Sequence, residues 1–182
     1  AALEGHRVAL VEARDFASGT SSRSTKLVHG GVRYLAQGRV RMVREALRER
    51  AHVLALAPHL AQPLPFVVAT SSWRAWATMA LGLKLYQGLA GRLSLGPTEL
   101  LSAATLAQSL PPGLPPGRGV RYWDGQFDDA RLALALAQSA RQAGACVRNH
   151  TEVTALAPVG ASDGEGWQVT LCDAFTGESR TV

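Results

Sequence analysis

Residues 6–35, HRVALVEARDFASGTSSRSTKLVHGGVRYL, decide the fold of this chain. Residues 8–11 form a short apolar run after Gly5, a pattern typical of a parallel strand that is covered on both faces and follows a helix ending at glycine. Glu12 comes directly after this run. In dinucleotide-binding α/β units, an acidic residue at the end of the second strand hydrogen-bonds the ribose hydroxyls. The sequence therefore predicts an α/β fold in which Glu12 contacts the ribose of a dinucleotide.

A hydroxyl-rich segment follows this strand. Thr20, Ser21 and Ser22 supply compact hydrogen-bonding groups, and Lys26 adds a positive charge. Such a segment can hydrogen-bond a diphosphate. We predict that these four residues bind the cofactor.

Two glycines and three side chains suited to ligand binding come next. Gly30 and Gly31 have no side chains, which lets backbone amides approach a flat ring closely. Arg33 offers a bidentate fork for an anion, and Tyr34 offers a phenol. Histidine side chains ordinarily titrate at roughly pH 6.5, so proton exchange is one role open to His29.

The ordered run TSSRSTKLVHGGVRYL closely resembles the signature of the FAD-dependent glycerol-3-phosphate dehydrogenases, TSS-x-SS-K-L-x-HGG-x-RYL. A second match, YWDGQFDDARLALALAQ, resembles the aromatic-rich strand of that family and the helix that it enters. Between the two motifs, REALRERAHVLALAPHLAQPLPFVV is similar to the helix and strand that follow the signature. The resemblance covers most of the 182 residues.

The resemblance implies FAD as the cofactor and a defined reaction. Glycerol 3-phosphate is oxidised at C2 to dihydroxyacetone phosphate, and the electrons pass to membrane quinone. Arg33 would bind the substrate phosphate with help from Tyr34, and Val153 would hold the adenine through its backbone. From the apolar pattern alone, Val153 is a core residue. For His29 three roles stay open: positioning of the flavin, proton transfer and a structural hydrogen bond.

Domain organisation follows from the same resemblance. No G-x-G-x-x-G turn precedes Glu12, although that turn stands about 20 residues before such an acidic residue. We therefore expect a fragment, with a partial Rossmann-like FAD-binding domain in residues 1–61 and 128–182 and part of a substrate domain in residues 62–127. By itself such a fragment would bind FAD weakly and expose apolar sheet surface. The predicted fold class is α/β, α+β overall.

The remaining pattern predicts alternating elements. Apolar residues at three- and four-residue spacing predict a helix from Val40 to near Pro58, with its arginines in solvent. Asp128 and Asp129 are expected to cap a helix that ends near Gly144. The other predicted elements are strands at 64–70, 120–127, 145–149, 151–156, 167–172 and 179–182, helices from Trp73 and over 102–110, an irregular loop up to residue 118, and turns at 160–166 and 176–177.

The segment WRAWATMALGLKLYQGLAG, within residues 73–92, is too short in its charge-free part to span a bilayer. Its tryptophans and flanking basic residues suit an interfacial helix on a membrane. Packing against the substrate domain explains the same pattern. Both interpretations stay open.

Composition limits the location and the partners. Cys146 and Cys172 form no disulfide framework, and no leader is recognised, so we expect a cytoplasmic protein, peripheral on the inner face of the membrane if residues 73–92 bind lipid. The net charge of +5 comes almost wholly from arginine. Without a recognised nucleic-acid module we expect no nucleic-acid partner, and we predict no metal site. A homodimer is compatible with the sequence.

Three alternatives remain. A glycerol-3-phosphate oxidase would use oxygen instead of quinone on the same substrate. An FAD-dependent amine or amino-acid oxidase would share the Glu12 strand but has no use for the full signature. A non-catalytic, truncated binding module would keep the fold without the reaction.

Overall fold

The computed structural model describes residues 1–109, 111, 117–159 and 166–182. The helices are α1 (Thr20–Arg23), α2 (Val32–Leu35), α3 (Val40–Leu56), α4 (Trp73–Ala90), α5 (Ala103–Ser109) and α6 (Asp129–Gln142). The strands are β1 (Ala9–Val11), β2 (Leu27–Val28), β3 (Ala61–Thr70), β4 (Glu99–Leu101), β5 (Arg118–Phe127), β6 (Cys146–Arg148), β7 (Thr151–Pro158), β8 (Trp167–Asp173) and β9 (Ser179–Thr181). This mixture of helices and sheets confirms the predicted fold class.

The chain divides into two compact units. Unit 1 contains Ala1–Ser24 and Asp129–Val182, and unit 2 is Thr25–Asp128. The boundaries of these compact units fall after residues 24 and 128, and within unit 2 β2 pairs with β5 and α3 packs against α4. The assignment of these segments to FAD and substrate domains stays a prediction.

The sheet of unit 2 is built around β5. β3 pairs antiparallel with β5 along its whole length, while β2 and β4 pair with opposite ends of β5 on its other side. Among the described residues β3 has a strand partner on one side only, and this position tolerates Pro63 and Pro65, which cannot donate to a ladder. β3 begins at Ala61, three residues before residue 64, the start predicted from the sequence.

Helices α3 and α4 form the core of unit 2. The α3 residues Val43 and Leu47 are fully buried with Tyr86 and Ala90 of α4. Burying a Val or Leu side chain contributes roughly 1.5–3 kcal/mol. Ser72 caps α4, because its hydroxyl accepts a hydrogen bond from the Ala75 amide at 3.4 Å. The amphipathic pattern of α3 is confirmed, with the exception of Arg50, described below.

Unit 1 combines a parallel strand pair with an antiparallel sheet. β1 pairs in parallel with β6, and β7, β8 and β9 form the antiparallel sheet. These four C-terminal strands confirm the prediction. α6 begins at Asp129, whose carboxylate accepts a hydrogen bond from the Ser24 hydroxyl. The turn predicted at 160–166 and the loop after Ser109 lie mostly outside the described residues.

Apolar side chains of unit 1 are exposed. Ala9 and Leu10, which lie on opposite faces of β1, are both exposed, Leu10 to 41%. The strand is therefore not covered on both faces. The pattern-based assignment of Val153 to the core is wrong, since this side chain is 42% exposed on β7, where residues 152–158 are all accessible.

Candidate functional site

Glu12 lies directly after β1 and lines a cavity of about 440 Å³. The backbone around Glu12 is fixed because its amide donates to the Arg148 carbonyl and its carbonyl accepts from the Thr151 amide. Its Oε1 accepts the Arg14 amide at 2.9 Å. A carboxylate offers about four lone-pair sites, so Glu12 retains acceptor capacity for a ribose hydroxyl.

The predicted hydroxyl loop contains one helical turn, α1. Ser21 lines the same cavity as Glu12, together with Ser18 and Gly19. Among the described residues that line this cavity, Thr20 and Ser22 do not appear. The Ser22 hydroxyl instead donates to the Ala17 carbonyl and stabilises the turn. The structure thus brings Glu12 and Ser21 together.

Val153 lies elsewhere in unit 1. It pairs with Leu171 of β8, and the register shifts between Val153 and Ala155. Such an irregularity leaves backbone groups outside the regular ladder. This is compatible with the backbone contact that the family resemblance implies, although Val153 is not among the described residues that line the Glu12 cavity.

Lys26, His29, Gly30 and Gly31 belong to unit 2. Lys26 has a positive φ of 59°, and its carbonyl accepts the Phe127 amide at 2.9 Å. His29 is exposed. Gly31 has a φ of 72°, a conformation that favours glycine, and it turns the chain into α2.

Gly30 is explained by the core of unit 2. A side chain on Gly30 would overlap the Tyr86 hydroxyl and the Leu47 side chain. Its amide donates to Asp124 Oδ1 at 3.2 Å. Both properties that we assigned to ring binding, the missing side chain and the amide, are therefore used inside the protein. A cofactor contact by Gly30 remains a prediction.

Arg33 and Tyr34 project from α2 and are exposed. Arg33 lines a cavity of about 550 Å³ whose walls include Leu35, Met79, Leu83 and Tyr122. Among the described residues that line it, Arg33 alone carries a charge. This places one cation at the edge of an otherwise uncharged cavity, where an anion can reach it.

A buried polar cluster in contact with the HGG segment, residues 29–31, was not predicted from the sequence. Arg50 and Asp124 are only 1% and 2% exposed, and Arg50 Nη1 donates to Asp124 Oδ1 at 3.0 Å. The Tyr86 hydroxyl donates to Asp124 Oδ2 at 3.0 Å, and Arg50 Nη2 donates to the Leu93 carbonyl at 2.7 Å. Burial first, and the Asp124 charge second, raise the pKa of Tyr86 far above its usual range, so its hydroxyl remains a donor.

Sequence signals for this cluster existed. Arg50 stands seven residues after Val43, on the buried face of the predicted helix, and Asp124 interrupts an aromatic strand. A charge at a core position is almost always paired, because an isolated buried charge is costly.

One face of α4 is packed and the other is accessible. Trp76 Nε1 donates to the Gly119 carbonyl at 3.0 Å, so this tryptophan belongs to the core side. Trp73 and Leu81 are 66% and 73% exposed. One face of α4 thus packs within unit 2, while its packing against a substrate domain and its contact with lipid stay predictions. Among the described residues, no helix has the length and apolar character needed to cross a membrane.

The whole chain, residues 1–182, matches the family of FAD dependent oxidoreductases. The protein therefore belongs to this family.

Within it, the chain is similar to glycerol-3-phosphate dehydrogenases, which confirms the predicted resemblance. It is 49% identical to the glycerol-3-phosphate dehydrogenase of Mycobacterium leprae over 161 residues, covering 86% of this chain and 27% of that protein. It is 43% identical to the mitochondrial enzyme of Macaca fascicularis over 166 residues, with 86% and 23% covered. The chain thus spans about a quarter of the length of the curated relatives it matches.

A solved structure agrees with these relatives. The glycerol-3-phosphate dehydrogenase from Bacillus halodurans, complexed with FAD, superposes with a TM-score of 0.65 at 28% identity. The match covers all of this chain and 29% of that protein.

Proposed function

We propose that this chain forms part of the FAD-binding and substrate-binding regions of an enzyme that oxidises glycerol 3-phosphate to dihydroxyacetone phosphate. The observation that carries the proposal is the cavity that Glu12 and Ser21 line together, next to the end of β1. An acidic residue and a hydroxyl at the end of a parallel strand suit the ribose and diphosphate of a dinucleotide. The FAD-bound relative from Bacillus halodurans supports the choice of cofactor.

The residues present fit such a cofactor at its nucleotide end. Glu12 would accept hydrogen bonds from ribose hydroxyls, and Ser21 would donate to the diphosphate. Thr20, Ser22 and Lys26 remain in the proposed site by their position in the signature. Residues 1–24 and 129–182 would carry most of the nucleotide contacts, including the backbone of Val153.

The substrate contacts are proposed for the segment that begins at His29. The Arg33 guanidinium would bind the substrate phosphate, since its planar fork matches phosphate oxygens. Tyr34 would add a hydrogen bond, and His29 would position the flavin edge. FAD supplies the hydride-accepting chemistry when it is bound, and the protein supplies position and charge.

We further propose quinone as the electron acceptor and a peripheral, cytoplasmic-side location on the membrane. The exposed face of α4 supports membrane contact, because Trp73, Leu81 and Leu85 are accessible there and Arg74 lies over the Trp73 ring at 5.8 Å. A tryptophan beside a cation is typical of membrane interfaces. Fast reoxidation of the reduced flavin by air, instead of by quinone, would favour a glycerol-3-phosphate oxidase.

Arg33→Ala in the complete flavin-loaded protein tests the substrate role. Hydrogen bonds to a charged group are worth about 1.5–3 kcal/mol, so we expect KM for glycerol 3-phosphate to rise about 10- to 150-fold. The bound flavin, measured by absorbance, should remain.

Arg41→Ala is the matched control. Its side chain is exposed on α3 and pairs only with Glu45 among the described contacts, so KM should stay unchanged. An unaltered KM in Arg33→Ala would remove Arg33 from the site. Oxidation of amino acids but not glycerol 3-phosphate by the unmodified protein would overturn the proposed function itself.

A further inference from the structure

Burial of the Arg50–Asp124 ion pair in the core costs free energy. Taking two charges out of water carries a large desolvation penalty, and apolar residues of similar volume are often as stable at such positions. In this protein the Asp124 carboxylate binds three groups at once: the Arg50 guanidinium, the Tyr86 hydroxyl and the Gly30 amide. The third of these connects the buried pair to the HGG segment.

The connection consists of the hydrogen bond that the Gly30 amide donates to Asp124. The Asp124 Oδ1 atom accepts it at 3.2 Å, inside the core, while the neighbouring His29 is exposed. Gly30 can occupy this place only without a side chain, because Tyr86 and Leu47 fill the space beside it. The peptide between His29 and Gly30 is thus held by the hydrogen bond to Asp124 and by close packing against Tyr86 and Leu47.

The fixed position of Gly30 also affects Arg33, three residues later in the chain. Gly31 turns the chain at a φ of 72°, and its carbonyl accepts the Tyr34 amide at 2.9 Å. Arg33 therefore lies in a short helical turn that closely follows the Gly30 amide bound by Asp124. Displacement of a binding group by about 1 Å can cost about 100-fold in rate.

We propose that Asp124 is a positioning residue, whose carboxylate fixes the Gly30 amide and thereby the placement of His29 and Arg33. Arg50 and Tyr86 hold that carboxylate in the orientation that accepts the amide. This inference rests on the proposed function for the roles of His29 and Arg33, but the hydrogen bond that it assigns is independent of them.

Two double variants separate positioning from simple support of the core. Arg50→Met with Asp124→Leu removes both charges and also the acceptor for the Gly30 amide. Arg50→Met with Asp124→Asn removes the same charges but keeps an acceptor oxygen at position 124. Because the pair is removed as a unit, neither variant leaves an isolated buried charge. The two differ in the side-chain oxygen that can bind Gly30.

The first measurement is amide hydrogen exchange in the complete flavin-loaded protein. We expect the Gly30 amide to exchange at least tenfold faster in the double variant with Asp124→Leu, and to stay protected in the double variant with Asp124→Asn. Equal protection of Gly30 in both variants would overturn the inference, whatever reaction the protein catalyses.

The second measurement is a kinetic cycle with Arg33→Ala. We expect Arg50→Met with Asp124→Leu to raise KM for glycerol 3-phosphate at least tenfold, and Asp124→Asn to restore most of the affinity. Combined with Arg33→Ala, the leucine substitution should add little, since the residue that it misplaces is already gone. Additive effects on KM would show a role independent of Arg33 and would contradict the inference. If the unmodified protein does not oxidise glycerol 3-phosphate, the proposed function fails, and the exchange experiment alone decides the Asp124 assignment.

Discussion

Units 1 and 2 differ in what they bury, although both leave some large apolar side chains exposed. Unit 2 buries an arginine and an aspartate inside a helix-and-sheet core, while unit 1 leaves Leu10, Leu156 and Trp167 accessible to solvent. The Arg50 and Asp124 charges are tolerated because each has hydrogen-bonded partners. The buried pair that supports the HGG segment therefore lies within unit 2. In unit 1, the strand before Glu12 has one strand partner among the described residues.

The largest effect is expected from breaking the buried pair on one side. Arg50→Ala leaves Asp124 buried without its counter-charge and should lower the free energy of unfolding by about 3–5 kcal/mol. Arg41→Ala, on the exposed face of the same helix, should cost about 0.5 kcal/mol or less. Urea unfolding of both variants measures the difference. Similar losses in the two variants would mean that the core of unit 2 does not depend on the pair.

The next effect compares the apolar residues of the two units. Leu47→Ala empties a fully buried position in unit 2 and should cost about 2–5 kcal/mol. Leu156→Ala changes a side chain of unit 1 that is mostly in solvent and should stay within about 0.5 kcal/mol. Thermal or urea unfolding gives both values. A large loss from Leu156→Ala would indicate that the face of β7 is covered in solution.

The smallest effect is a difference in pH dependence. The raised pKa of Tyr86 favours its neutral form in the folded state. Its contribution is therefore complete below the ordinary value of 10.0 and is lost as the pH rises above it. In unit 1, the Thr176 and then the Phe175 amides lower the pKa of Asp173, so its contribution is present above 3.8 and is lost as the pH falls below that value.

Unfolding free energies measured across both pH ranges test this contrast. Tyr86→Phe should reduce the alkaline decline, to which Tyr122 with its raised pKa also contributes, and should leave the acid decline, while Asp173→Asn should reduce the acid decline alone. If Tyr86→Phe altered only the acid range, the assignment of the alkaline sensitivity to unit 2 would be incorrect.

The sequence was sufficient for the elements that repeat a simple pattern. The spacing of Val43 and Leu47 predicted α3, because helix periodicity is a local property. The four strands after residue 144 were predicted because strand and turn patterns are local properties too. The start of β3 was missed because Pro63 argues against a strand, and it is acceptable here since β3 pairs with β5 on one side only among the described residues.

The sequence by itself determined the α/β class, the family resemblance and the set of polar residues available to a nucleotide and a phosphate. The tertiary structure alone decided that Glu12 and Ser21 share a cavity, that Val153 is exposed, and that Gly30 serves the core through Asp124. The physical reason is distance along the chain. Periodicity and turn chemistry act over a few residues, whereas the contact between Gly30 and Asp124 joins positions 94 residues apart, which only the folded chain brings together.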